Sequence, residues 1–310
     1  MVALQELQSS LSGNTYAGIQ AATLSSMVLN GTHSRPLAHR VEPGKSCFWT
    51  AGDVGRDDHG ERDGSFGLVE VGGCHRLTHN LQGSVSVGRT SSRQNLVFNG
   101  SSVVSTTYGV AELLGRIPGT NLWPSAALMV QAGDADARRG YLNAGAQDVS
   151  FGRPDVRTTA LRLRMDWENA ISLGNTSFTP YADLSQARSR VDAYTENGGG
   201  FPARFDNRME KATEAHMGID VTYAISSSTK LRGRVEAAHR FEKNASATNG
   251  NVLGLFAFNL PGQPIKRDWL RTGIGLDTKL GVGVVSAILN ATTRGAAASH
   301  WLNVSYHVAF

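Results

Sequence analysis

With 310 residues, 40% hydrophobic and only 18% charged, the chain is too apolar for a disordered segment and has room for two soluble domains or one large barrel. Its formal charge of +4 is spread along the sequence rather than gathered into a Lys/Arg run, which argues against nucleic acid as a partner. No apolar stretch reaches the roughly 18 residues of a helical membrane span, and two cysteines are too few for a disulfide scaffold or a zinc motif, so neither metal nor cofactor is implied.

At the N-terminus, Met1-Val2-Ala3 lacks the charged and apolar regions of an export signal. Because the rest of the chain reads as an exported barrel, a C-terminal piece of a longer protein is expected. Leu4, Leu7 and Leu11 fall at helical spacing, followed by Gly13 and by Asn14 as an N-cap. A second helix is expected over Thr15 to Asn30, with Gly31 ending it as a C′ residue. Ala17, Gly18, Ala21, Ala22, Ser25 and Ser26 make this helix slim, and at 1.5 Å per residue it is about 24 Å long, near the apolar height of a barrel wall. It is therefore expected inside a narrow pore, where Gln20, Thr23 and Ser25 would meet a polar wall. The alternative is an amphipathic helix lying outside the barrel.

From about residue 39 the period changes to two. Over Arg157 to Ile171, Leu161, Leu163, Met165 and Trp167 alternate with Arg162, Arg164, Asp166 and Glu168. The pattern recurs over Ala215 to Ala224, with Asp220 on the polar face, and over Lys230 to Arg240, with Arg232, Arg234 and Glu236. It recurs again over Trp269 to Leu280, with Arg271 and Asp277. Tight connections such as Gly174 to Ser177 and Ser226 to Thr229 alternate with long ones, Thr195 to Asn207 and Lys243 to Lys266. That asymmetry, with apolar outer faces and a charged lumen, predicts an all-β transmembrane barrel of about twelve antiparallel strands in a bacterial outer membrane. The strands are expected near 41–55, 65–77, 81–97, 103–117, 122–141, 157–172, 178–194, 210–225, 230–243, 266–280, 282–293 and 299–310, with weaker alternation in the third to fifth. The last strand carries Leu302, Val304, Tyr306, Val308 and Phe310 at strict period two. The division expected is 1–38 for linker and pore helix and 39–310 for the barrel.

Two other functions use the same features. A hydrolase needs a nucleophile and a held base, but no Gly-x-Ser-x-Gly elbow occurs; His59 beside Asp57 and Asp58 reads as a solvated loop tip, and His216 shares a strand face with Asp220 without an evident nucleophile. A passive porin-like channel would use the mixed-sign lumen directly. In that case Arg162, Arg164, Arg232, Arg234 and Arg271 would simply pair with Asp166, Glu168, Asp220, Glu236 and Asp277 across strands, each exposed pair contributing roughly 0 to 1 kcal/mol.

Several features together resemble the translocator domain of an autotransporter, the type V secretion system. They are the small-residue helix Asn14 to Leu29, the opening strand Cys47-Phe48-Trp49-Thr50, the segment Phe178 to Leu184, the strand Arg271 to Leu280, and the terminal Tyr306-His307-Val308-Ala309-Phe310. The similarity covers nearly the whole chain. It implies a non-enzymatic barrel that anchors an N-terminal passenger and enables its export. It also implies a pore helix comprising Asn14, Thr15, Tyr16, Ala17, Ala21, Ala22, Ser25 and Leu29, and an assembly signal at Tyr306, Val308 and Phe310. The implied partners are outer-membrane lipid, the barrel-assembly machinery, periplasmic chaperones and the passenger, around a monomer. Ser12 to Ala17 looks like the linker helix of members with subtilisin-like passengers, whereas the Asn-Asn pair of self-cleaving members is missing.

Finally, a first hairpin centred between Gly60 and Glu61 pairs residues whose numbers sum to 121, and 47 plus 74 meets that sum. Cys47 and Cys74 are then opposite each other on the lumen side, within disulfide reach, and the oxidising export route permits the bond. Two free thiols would result from a one-residue bulge.

Overall fold

A chain whose side chains alternate in character has only one way to keep both faces satisfied when the apolar face meets lipid, which is to close the sheet so that no strand edge is left unpaired. The computed structural model describes residues 2–13, 16–59, 63–295 and 298–310. Twelve antiparallel strands form the barrel: β1 (Ser46–Asp58), β2 (Asp63–Thr78), β3 (Leu81–Asn95), β4 (Ser101–Gly115), β5 (Leu122–Asn143), β6 (Asp155–Trp167), β7 (Thr176–Val191), β8 (Arg208–Ala224), β9 (Thr229–Arg240), β10 (Asp268–Leu280), β11 (Gly283–Thr292) and β12 (His300–Ala309). Closure is made by β12 on β1, with Cys47 opposite Ala309 and Gly55 opposite Trp301. Beyond the last strand residue, the Phe310 N–H donates to the Ser46 carbonyl at 2.9 Å and the Ser46 N–H to the Phe310 carbonyl at 2.9 Å, so the seam is paired to its end.

The two faces separate as alternation requires. Val54, Val69, Leu163, Met217, Ile274, Leu302 and Val304 are exposed on the outside, while Arg162, Arg164, Asp166, Glu236 and Arg271 are buried inside. Exposed apolar side chains repeated around the whole girth are stable only against lipid. The first hairpin has the register expected from its midpoint: Cys47 faces Cys74, Trp49 faces Gly72 and Ala51 faces Glu70. The two sulfurs form a disulfide across Cα atoms 4.9 Å apart. Gly72 has a steric reason, since a Cβ there would lie 2.2 Å from Cζ2 of Trp49, whose ring crosses the inner wall at this point.

Two helices precede the barrel, α1 (Val2–Gly13) and α2 (Tyr16–Asn30). Asn14 and Thr15, expected to open the second helix, lie outside the described residues. Gly31 follows α2, but not with the left-handed φ of a C′ glycine; the reason for glycine is space, since a Cβ would sit 3.1 Å from the Met27 carbonyl oxygen and 3.2 Å from Asp53 Oδ2.

One expectation needs correcting. The first strand begins at Ser46 rather than near residue 39: Pro43 has no N–H to donate and Gly44 takes a left-handed φ of 78°. Ahead of Ser46 the pairing with β2 is carried on by the Gly44 N–H to the Arg76 carbonyl and the Arg76 N–H to the Lys45 carbonyl, both at 3.0 Å. Short 3-10 turns at Thr32–Ser34 and Pro36–His39 fill the interval. The long connections carry short strands of their own. Tyr194–Thr195, Ala203–Phe205, Thr248–Val252 and Phe256–Leu260 pair into a separate four-stranded sheet at one mouth, joined there by a hairpin in which Ala146–Gly152 folds back on the end of β5. Strands of two to five residues are too short for their alternation to register in sequence.

Candidate functional site

The lumen holds the chain's own N-terminal segment. The apolar side of α2 lies against an apolar patch of wall: Ala17, Ala21, Leu24 and Met27 pack with Phe66, Val104, Val156 and Trp301. Ala22, Val28 and Leu29 pack with Leu68, Tyr108 and Met129. The inner face thus carries an apolar patch besides the charged lumen that the alternation predicts. Slimness matters where expected, since a Cβ on Gly18 would come within 3.3 Å of the Glu210 Cβ. Polar side chains of the helix also meet the wall. Gln20 Oε1 accepts from the Ser102 hydroxyl at 2.5 Å, its amide donates to Ser92 Oγ at 3.2 Å, and Ser26 donates to Glu214 at 3.0 Å. The Ser25 hydroxyl donates back to the Ala22 carbonyl at 2.7 Å, and the side chain is fully buried. Tyr16 is half-buried at the start of the helix.

A helix C-terminus leaves its last carbonyls without intrahelical partners, and here the wall supplies them. Arg162 donates to the carbonyls of Leu29 and His33. Arg271 donates to the Asn30 carbonyl at 3.2 Å, and Arg234 to the Ser34 carbonyl at 3.2 Å and the Ser34 hydroxyl at 3.0 Å. Cations at the negative end of the helix dipole add to the same effect. Each guanidinium is held from behind: Arg162 by Glu112 at 2.9 Å, Arg234 by Asp220 at 2.6 Å, and Arg271 by Asn290 at 2.9 Å with Glu236 at 3.9 Å. Below this ring His33 lies 3.1 Å from Glu70 and 3.0 Å from Ser86, and Arg35 reaches Asp277 at 3.1 Å.

The ten wall residues named from sequence therefore divide. Arg162, Arg234 and Arg271 hold the plug's main chain, and Asp277 its Arg35. Arg164 instead pairs within the wall, with Asp166 at 2.6 Å and Asp183 at 3.6 Å, and stacks over Tyr181; Arg232 pairs with Asp277 at 2.6 Å. Asp220 and Glu236 brace arginines rather than the helix, and Glu236 also accepts from the Tyr181 hydroxyl at 2.6 Å. Glu168 is corrected in position: it follows β6 in the turn and takes Arg40 at 2.6 Å and the Trp123 N–H at 3.0 Å, at the mouth where the short turns lie.

Sequence reasoning gave no wall role to Glu70, Ser86, Glu112, Gln82 or Arg76, though Gln82 and Arg76 bind the segment at the His39 and Val41 carbonyls, 3.0 and 2.9 Å away. The first-hairpin register already put Glu70 on the inner face, whereas Ser86, Gln82 and Glu112 sit on strands whose alternation is weak. The histidines considered for catalysis have other occupations: His216 bonds Asp183 at 2.7 Å and lies 3.7 Å from Glu214, and His59 bonds Thr292 at 3.0 Å. Cys47 and Cys74 are buried beside Val41, Trp49 and Ala51. Tyr306 and Val308 of the last strand are partly exposed and Phe310 just beyond it is exposed, all on the lipid side.

The segment has a direction. His39 and Arg40 lie at the short-turn mouth with both ends of the barrel, and α2 runs from there toward the long-loop mouth, where Leu7 and Leu11 of α1 are buried among Tyr141, Phe205 and Val252.

A family model described as Autotransporter beta-domain matches residues 48–292. The translocator domain of the autotransporter NalP from Neisseria meningitidis superposes with a TM-score of 0.75, covering 96% of this chain and 99% of that one at 13% sequence identity. The β domain of the Bordetella autotransporter BrkA gives a TM-score of 0.60, covering 86% of this chain and 100% of that one at 12% identity. A curated Pseudomonas putida protein, described as an uncharacterized protein in the trpE-trpG intergenic region, is 24% identical over 204 residues. That match takes in 64% of this chain but 34% of the relative, so the chain spans about a third of that protein's length.

Proposed function

Because the chain belongs to the autotransporter β-domain family and lies in the bacterial outer membrane, we propose that it exports a passenger attached ahead of α1 and then anchors it at the cell surface. The observation that carries this reading is the direction of the N-terminal segment. Short turns of outer-membrane barrels face the periplasm and long loops face outward. A segment that enters β1 at the short-turn mouth and reaches the long-loop mouth at α1 delivers whatever precedes it outside. Translocator barrels of this family are not enzymes; activity belongs to the passenger, for which a subtilisin-like protease is one candidate on the strength of Ser12 to Ala17 alone.

In this reading residues 1–38 are linker and plug, and the barrel follows as a monomer. Among the lumen residues Arg162, Arg234 and Arg271 hold the last turns of the linker by its backbone, and the others brace them or pair within the wall. Tyr306, Val308 and Phe310 form the stripe by which the assembly machinery takes the chain from periplasmic chaperones. An epitope fused ahead of Met1, behind an export signal, tests the topology. Antibody should reach it on intact cells. Labelling only after the outer membrane is permeabilised would overturn the reading.

A further inference from the structure

The outer mouth is closed by a cap that has little core of its own. Its sheet is built of strands of two to five residues, and elements this short are marginal unless a face is packed. The packed face is made with α1. Leu11 is fully buried and Leu7 nearly so, against Phe205, Val252 and Leu260 from the sheet and Tyr141 from the end of β5. Ser10, one position before Leu11, is bound by a polar clamp. Arg139 donates to the Ser10 hydroxyl at 3.1 Å, to Glu196 at 2.6 Å and to the Phe201 carbonyl at 2.5 Å, and the Arg139 and Glu196 side chains are 1% and 0% exposed. Leu7, Ser10 and Leu11 fall at i, i+3 and i+4, one face of the helix. Gln8 and Ser9 on the other face are exposed.

We propose that the cap is a latch that closes on α1. The loops 194–207 and 243–266 adopt their sheet only when the face carrying Leu7, Ser10 and Leu11 is seated, so arrival of the linker helix shuts the outer mouth. Without that face, Tyr141, Phe205 and Val252 would face a hydrated opening, and the buried Arg139–Glu196 pair would take up water. A chain crossing the lumen before α1 arrives then meets an open mouth. This role in transport rests on the export reading; the dependence of the cap on α1 does not.

The test is limited trypsin cleavage after Arg204, which is exposed but lies within the short strand Ala203–Phe205 and is cut only when that strand opens. In purified full-length protein in detergent, Leu7→Asp with Leu11→Asp should raise the cleavage rate roughly ten-fold or more while heat-modifiable migration shows the barrel intact. Ser9→Asp should leave the rate as it is. An unchanged rate in a folded double variant overturns the latch. If the double variant does not assemble, hydrogen exchange in Leu11→Ala decides: faster exchange confined to 194–207 and 248–260 supports it, and uniform exchange overturns it. Repeating the digestion on intact cells separates the two readings. Faster cleavage in detergent but none on cells supports the latch and overturns the outward placement of the cap.

Discussion

Within the membrane, α2 and the turns after it are held at their carbonyls, by Arg162 on Leu29 and His33, Arg271 on Asn30 and Arg234 on Ser34. Above the membrane, α1 is held by side chains, with Leu7 and Leu11 inserted among Tyr141, Phe205 and Val252. The difference concerns what each grip can recognise. Every residue offers a carbonyl, so the arginine ring constrains the position and width of the plug while tolerating changes in its sequence. An apolar socket accepts only the residue types that fill it, so the cap is selective for one helix face.

The largest effect should separate plug from cap. A chain lacking residues 1–38 loses both grips and is expected to conduct several-fold more than the full chain in planar bilayers, whereas one lacking only residues 1–13 should conduct nearly as little as the full chain, because α2 keeps its carbonyl contacts. Equal, high conductance from both deletions would mean that the cap, and not the ring, keeps the helix in place.

Next in size is Arg162→Ala. The guanidinium is buried at 1% exposure, so its loss strands Glu112 as well as two carbonyls, and breaking a buried pair from one side costs about 3 to 5 kcal/mol. Urea titration of the folded, unheated gel band should show that loss, with part of it recovered in Arg162→Ala with Glu112→Gln. A cost below about 1 kcal/mol would place the pair among those that merely fill the wall.

The smallest effect lies in the cap. Asp148 accepts from the Gly200 N–H and the Asn143 amide, and these bonds hold its carboxyl below the usual carboxylate range. A depressed folded pKa gives stability that is present above the unfolded value, near 3.9, and lost as pH falls through the folded one. Exchange at 146–152 should therefore be insensitive to pH from neutral down to about 4, after correction for the intrinsic rate, and rise below it. Loss of order nearer pH 6 would point to a different group.

Much of the barrel was legible because period two is a local property. The residues Leu161 to Glu168 declare their own faces, twelve strands follow from counting such runs, and the midpoint of one loop is enough to put Cys47 opposite Cys74. The small residues of α2 likewise declare a helix for a narrow space. What the tertiary structure alone decided was which partner each inward group meets. Arg162 and Arg164 are both inward, two residues apart on β6, and nothing in their alternation says that one reaches a helix carbonyl and the other a neighbouring aspartate. That choice depends on the height and rotation of α2 in a closed lumen, set by contacts between residues more than a hundred positions apart, such as Arg162 and Leu29. The cap was hidden for the same reason. Its strands are too short to show a period, and its core exists only where loops distant in sequence converge on Leu7 and Leu11.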